Sequence, residues 1–182
     1  CALPILVSRE DLPVVQKIEA YGYWIFHHAA APEIATGARR VEAEIAKNKE
    51  YEIYKTLIGY ERIFGDWQKL KEGRDLDDEE RKARAREFAL SITPQTYPEW
   101  RRRILRYSET QSDDLATFPV FFYFLEQLAL IHPKFAVDLL SNDAAAIRVG
   151  LIPLIRTSFA GPERAVVRQL IVAWANEGKY LY

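Results

Sequence analysis

Thr117-Phe118-Pro119-Val120-Phe121-Phe122-Tyr123-Phe124-Leu125-Glu126-Gln127-Leu128-Ala129-Leu130-Ile131-His132-Pro133 is the stretch that decides the fold class of this chain. Thr117 is placed to cap a helix, and Pro119 suits its first turn, where a missing N–H costs nothing. Phe118, Val120, Phe121, Phe122, Phe124, Leu125 and Leu128 wrap around most of the circumference instead of alternating in twos. A helix apolar all round is a buried one, so the core of an all-α domain is expected here. His132-Pro133 ends this helix at Ile131 and starts a short one through Leu140.

The same punctuation recurs outward in both directions. Toward the C-terminus, Ser141-Asn142-Asp143 is a turn with capping residues, followed by a helix over about 144–159. That helix carries Pro153 in its middle; the proline removes the hydrogen bond to the Val149 carbonyl, which predicts a kink. Gly161-Pro162-Glu163 separates it from a last helix with Val166, Val167, Leu170, Ile171 and Trp174 on one stripe and Gly178 as its cap. Toward the N-terminus, Ser8 followed by Asp11 opens a helix to about Ala30, with Val14, Val15, Ile18, Tyr21, Ile25 and Phe26 as its apolar positions. Pro32 opens a second helix to about Lys47, and a third runs from about Glu50 to Phe64, stopped by Gly65. Residues 66–76 read as a loop leading to Asp77, an N-cap with Glu80 three residues on. Asp77 with Arg81, Asp78 with Lys82 and Glu80 with Arg84 stand four apart in the favourable order, so this helix reads as solvated surface. Thr93-Pro94 closes it, Pro98-Glu99 opens a helix from Trp100 to about Glu109, and residues 108–114 form a polar connector. The result is about nine helices in antiparallel pairs: an all-α chain, either a HEAT-like α-solenoid or an irregular helical bundle.

Phe121-Phe122-Tyr123-Phe124-Leu125, His132-Pro133-Lys134-Phe135-Ala136, Arg148 and Pro153-Leu154 look like one helix pair with its linking turn. With Arg168-Gln169-Leu170 and Trp174-Ala175-Asn176-Glu177-Gly178, residues 115–182 resemble degenerate HEAT-like arrays. Residues 6–110 would then be N-terminal helices of the same array. The resemblance implies a stacked surface that binds a protein partner. It also implies a parent of the large bacterial multidomain kind, cytoplasmic, in which such arrays trail an NTPase or effector domain.

Composition narrows the function. The chain has 182 residues, 49% hydrophobic and 28% charged, as in a folded domain. A formal net charge of -1 gives no global attraction to nucleic acid or anionic membrane. No stretch has the roughly 18 uninterrupted apolar residues of a membrane span. The sequence has no Met and opens Cys1-Ala2-Leu3-Pro4-Ile5. The bases TGT-GCT-CTT-CCG-ATC-T encode those residues and match the end of a widely used sequencing adapter. We therefore expect residues 1–5 to be untrimmed adapter, native sequence to begin near Leu6, and the chain to be a piece of a longer environmental protein.

Few residue groups suggest chemistry. Arg101, Arg102, Arg103 and Arg106, flanked by Trp100 and Tyr107, are a candidate phosphate, nucleic-acid or partner contact, because guanidinium groups beside rings bind phosphates and stack on bases. The competing expectation is a polar helix face whose Trp100, Ile104 and Tyr107 pack inward, with the arginines meeting acidic groups of the same chain, such as those at Asp77 to Glu80. Tyr23, Trp24 and Tyr60 are candidate pocket aromatics, against the plainer expectation that they are core. His27 and His28 point about 100° apart on a helix and do not converge on one metal. Neither a phosphate-cradling glycine loop nor a nucleophile elbow occurs, and no cofactor or metal is implied. The sequence therefore favours a non-enzymatic scaffold segment that binds protein or regulates a neighbouring domain. A helical enzyme or small-ligand receptor with an aromatic-lined pocket, and nucleic-acid binding through Arg101 to Arg106, are the alternatives.

Overall fold

A computed structural model describes residues 11–59, 67, 78–114 and 116–180. Among the described residues there are nine α-helices and no strand: α1 (Leu12–His28), α2 (Pro32–Ile45), α3 (Lys49–Ile58), α4 (Asp78–Ser91), α5 (Tyr97–Ser108), α6 (Pro119–Ile131), α7 (Pro133–Asn142), α8 (Leu151–Ala160) and α9 (Arg164–Asn176). The protein is all-α. It divides into two compact units, Cys1–Glu80 and Arg81–Tyr182.

In the first unit, local chemistry sets the helix starts. The Asp11 carboxylate accepts the Val14 N–H at 3.3 Å, and the Asn48 side chain accepts the Tyr51 N–H at 3.0 Å, each satisfying a donor that the helix itself leaves open. Pro32 occupies the first turn of α2. α3 stops at Ile58, where Gly59 turns extended, six residues before the expected end at Phe64; Gly65 and the rest of 60–66 lie outside the described residues. α1 packs most extensively on α2 and also touches α3. Its buried residues are Leu12, Val15, Glu19, Gly22 and Phe26, a strict three-and-four spacing. Tyr21 and Ile25, expected to face inward, are exposed instead. Gly22 takes the inward place because the Trp67 ring lies against it: a Cβ there would stand 2.8 Å from the indole. Phe26, Ala38 and Trp67 form the core cluster at this end.

In the second unit, α6 is the central helix. Val120, Phe121, Phe124, Leu125, Leu128 and Ala129 are buried, and it touches both α7 and α8. The wrap-around apolar pattern marks it correctly. α6 and α7 together are apolar enough for a broken membrane span, but they bend by 117° at His132, and no single described helix is long and apolar enough to cross a membrane. α4 is not only solvated surface. Arg81, Ala85 and Ala89 form a buried stripe along it, and the Ala89 carbonyl meets the His132 ring at 3.0 Å. The acidic side chains at Asp77 and Asp78 lie outside the described residues. Thr93 and Thr96 exchange backbone-to-hydroxyl bonds of 2.9 and 3.3 Å and close the turn into α5.

The kink expected at Pro153 does not form. Residues after Asp143 make turns and a short 3-10 segment, Arg148–Gly150, and α8 begins only at Leu151. Pro153 therefore sits in the first turn, where the absent N–H has no intrahelical partner to lose. α9 ends as its glycine predicts. Gly178 has a φ of 66°, and the Gly178 and Lys179 N–H groups reach back to the Ala175 and Trp174 carbonyls at 3.1 and 2.8 Å. Tyr180 then packs edge-on against Trp174 with ring centroids 5.0 Å apart.

Candidate functional site

Burying the Glu19 face of α1 turns the opposite face outward. Lys17, Tyr21, Trp24, Ile25 and His28 follow one another at helical spacing, and all five are exposed. Tyr21 is 70% exposed, Trp24 61% and Ile25 39%. The His28 ring leans on Trp24 at the end of the helix, 5.0 Å between centroids. Tyr23 points elsewhere: it is partly buried against His27 at 4.2 Å and Trp67 at 6.0 Å, and burial pushes its hydroxyl pKa up. The structure thus separates two of the candidate pocket aromatics. Tyr23 belongs to the core margin and Trp24 to the surface; Tyr60 lies outside the described residues.

A charged cleft lies between α1, α2 and α3. It is about 480 Å³ in volume and is lined by Glu19, Arg39, Glu42, Ala43, Ile45, Ala46 and Lys55. Glu19 is only 4% exposed. Its carboxylate accepts the Tyr51 hydroxyl at 2.5 Å on Oε2 and the Lys55 ammonium at 2.8 Å on Oε1. Across the lining, Arg39 donates to Glu42 Oε2 at 2.6 Å, and the Trp67 backbone N–H reaches Glu42 Oε1 at 3.0 Å. Sequence reasoning missed this group. Its one legible signal is Glu19 standing on the same three-and-four stripe as Leu12, Val15 and Phe26, where an unpaired carboxylate would be prohibitive.

The four arginines of α5 do not act together. Arg101 makes a bidentate pair with Asp143, Nε to Oδ2 and Nη2 to Oδ1 both at 2.6 Å. The hydrogen bond to Asp143 holds its guanidinium above the ordinary pKa. Beside it the Tyr97 hydroxyl donates to Asp138 at 2.7 Å, and its ring stacks on Phe135 at 4.1 Å. Burial first, and the Asp138 bond second, push the Tyr97 pKa well above the usual phenol range. Arg103 is buried, pairs with Glu99 at 2.5 Å and covers the Trp100 ring at 5.0 Å. Arg101 therefore ties α5 to Asp143 at the end of α7, whereas Arg103 pairs with Glu99 within its own helix. Arg102 is exposed and Arg106 partly so, and neither pairs with an acid among the described residues. Trp100, Ile104 and Tyr107 are buried, as a packed helix face requires.

No family model matches the chain, and neither a curated protein nor a solved structure does. Among the described residues there is no group of three histidine, cysteine or acidic side chains placed to hold a metal ion. His27 and His28 instead contact rings of α1, Tyr23 and Phe26 for the first and Trp24 for the second.

Proposed function

We propose that this chain is a non-enzymatic helical scaffold that docks a protein partner through the exposed face of α1. The observation that carries the proposal is the ridge of Tyr21, Trp24 and Ile25, three large side chains left in water on one helix face. Single exposed apolar residues need no explanation, but a contiguous aromatic ridge is costly to leave uncovered. Tryptophan and tyrosine are also the residue types that dominate binding energy at protein interfaces. Lys17 at one end and His28 at the other give the ridge a polar rim. In the second unit, α6 touches α7 and α8, and α7 also touches α9, the kind of neighbour pattern expected of stacked helix pairs in a HEAT-like array.

The test compares wild-type chain with Trp24→Ser/Ile25→Ser in cells that natively carry it, by affinity capture and quantitative mass spectrometry. A protein that co-purifies with wild type should fall by about tenfold or more with the variant, matching loss of an interface anchor. Equal recovery from both, with unchanged circular dichroism, would remove the α1 ridge from the function.

A further inference from the structure

We infer that the partner of the exposed α1 face is a second copy of this chain, with the two α1 helices antiparallel across a twofold axis. The inference rests on the docking role proposed above and names its partner. It begins from spacing. Val14, Ile18, Tyr21 and Ile25 follow one another at intervals of four, three and four residues along one outward stripe of α1, and Asp11 and His28 continue the same alternation at its two ends. Such an alternation keeps one seam of a helix against a second helix along its whole length. Tyr21, Ile25, Asp11 and His28 are exposed, and Val14 and Ile18 are half-buried. Lys17 and Trp24, both exposed, flank the seam on one side, and the buried Val15 and Gly22 flank it on the other.

One register satisfies every position of this seam at once. With the helices antiparallel, Ile18 of one copy faces Tyr21 of the other, Val14 faces Ile25, and Asp11 faces His28. The twofold axis repeats each pair in reverse, so no position of the seam is left over. Apolar side chains then meet apolar ones, and the carboxylate at the start of one helix meets the imidazole at the end of the other. The Asp11 carboxylate uses Oδ1 for the Val14 N–H, and its second oxygen carries no bond among the described residues. In an antiparallel pair each flank meets the same flank of the partner helix, and this register sets Lys17 opposite Trp24. The ammonium therefore meets an indole ring, a favourable cation–π pairing, and not a second lysine. Lys17 has no ion pair among the described residues that this contact would have to break. A parallel pair would instead oppose Asp11 to Asp11 and His28 to His28. The chain's formal net charge of -1 leaves little long-range repulsion between copies.

The experiment is sedimentation velocity of the full chain from about 1 to about 200 µM. The expected result is a reversible monomer–dimer equilibrium with Kd below about 100 µM. Trp24→Ser and Lys17→Glu, both at exposed positions, should each weaken it by about tenfold or more with unchanged circular dichroism. Ile152→Ser, at a residue of the second unit that is 76% exposed, should leave it unchanged. The register is read by disulfide formation in a Cys1→Ser background, since Cys1 is the only cysteine of the chain. A mixture of Ile18→Cys and Tyr21→Cys chains should cross-link, and Val14→Cys alone should not. A chain that stays monomeric to about 200 µM would overturn the inference. So would a dimer indifferent to both Trp24→Ser and Lys17→Glu, or Val14→Cys chains that cross-link faster than the mixed pair. A monomeric chain that still captures a different protein through Trp24 would leave the docking role standing and remove the second copy as its partner.

Discussion

Lys55→Met removes one ammonium and leaves a nearly buried carboxylate without its counter-charge. At the 2.8 Å separation of Lys55 and Glu19, the gross attraction at an effective dielectric near 20 is about 6 kcal/mol. Part of that is offset by the cost of taking both groups out of water. Breaking a buried pair from one side costs about 3–5 kcal/mol, and Glu19 at 4% exposure belongs in that class. Glu19→Gln should cost less, about 1–3 kcal/mol, because the amide can still accept the Tyr51 hydroxyl and Lys55 lies nearer the surface. The double variant should therefore be more stable than the sum of the two losses by about 2 kcal/mol or more, a coupling typical of groups in direct contact. Urea titration read by hydrogen-exchange mass spectrometry of peptides from α1 and α3 reports on the first unit alone. A Lys55→Met loss under about 1 kcal/mol, or a double variant that is simply additive, would refute the claim that the pair is buried and coupled.

Gly22→Ala gains about 1 kcal/mol of helix propensity but drives a methyl to 2.8 Å from the Trp67 ring; overpacking of about 1–3 kcal/mol should win, visible as a lower urea midpoint for the first unit. Arg101→Ala strands Asp143 and should destabilise the second unit by about 1–3 kcal/mol, whereas Arg102→Ala should stay within about 0.5 kcal/mol; thermal melts of the two variants separate them. Tyr97→Phe should cost about 1 kcal/mol at pH 8 through its lost bond to Asp138. The folded Tyr97 also holds its proton above the unfolded pKa of about 10. Its contribution is therefore complete below that pH and declines above it, by less than about 1.4 kcal/mol per pH unit after solvent screening. Urea midpoints from pH 8 to about 11 should fall less steeply in Tyr97→Phe than in wild type.

The helix boundaries set by proline and capping residues are legible because their causes are local. Pro32, Pro98, Pro119 and Pro133 all stand in first turns as the sequence indicates, and Gly178 supplies the left-handed residue that ends α9. The same rule explains Pro153 once α8 is known to begin at Leu151. What hides that start in the sequence is the stretch Ala144-Ala145-Ala146-Ile147 that precedes it, which reads as helix although it forms turns leading into the 3-10 segment. The orientation of α1 is hidden for a different reason. The apolar positions of α1 include Tyr21 and Ile25 but neither Glu19 nor Gly22, yet the structure exposes the first two and buries the last two. Glu19 is stabilised inside by Tyr51 and Lys55, 32 and 36 residues away, and Gly22 by the space that Trp67 fills. None of these partners can be read from α1 itself. The arginine cluster shows the same limit. Its residue types are those of a phosphate site, but Arg101 is committed to Asp143, 42 residues further on. Among the described residues the acidic partners of Arg101 and Arg103 are Asp143 and Glu99; the side chains of Asp77 and Asp78 lie outside the described residues.

The most direct test of the docking role is site-specific photo-crosslinking. A benzophenone side chain placed at Trp24 is compared with one placed at Glu87 on α4, an exposed position in the second unit. Irradiation in cells that natively carry the protein should give a discrete adduct from position 24, lost when Tyr21→Ser is added, and none of that mass from position 87. No adduct at position 24, or the same adduct from both positions, would contradict a protein-docking role for the exposed face of α1.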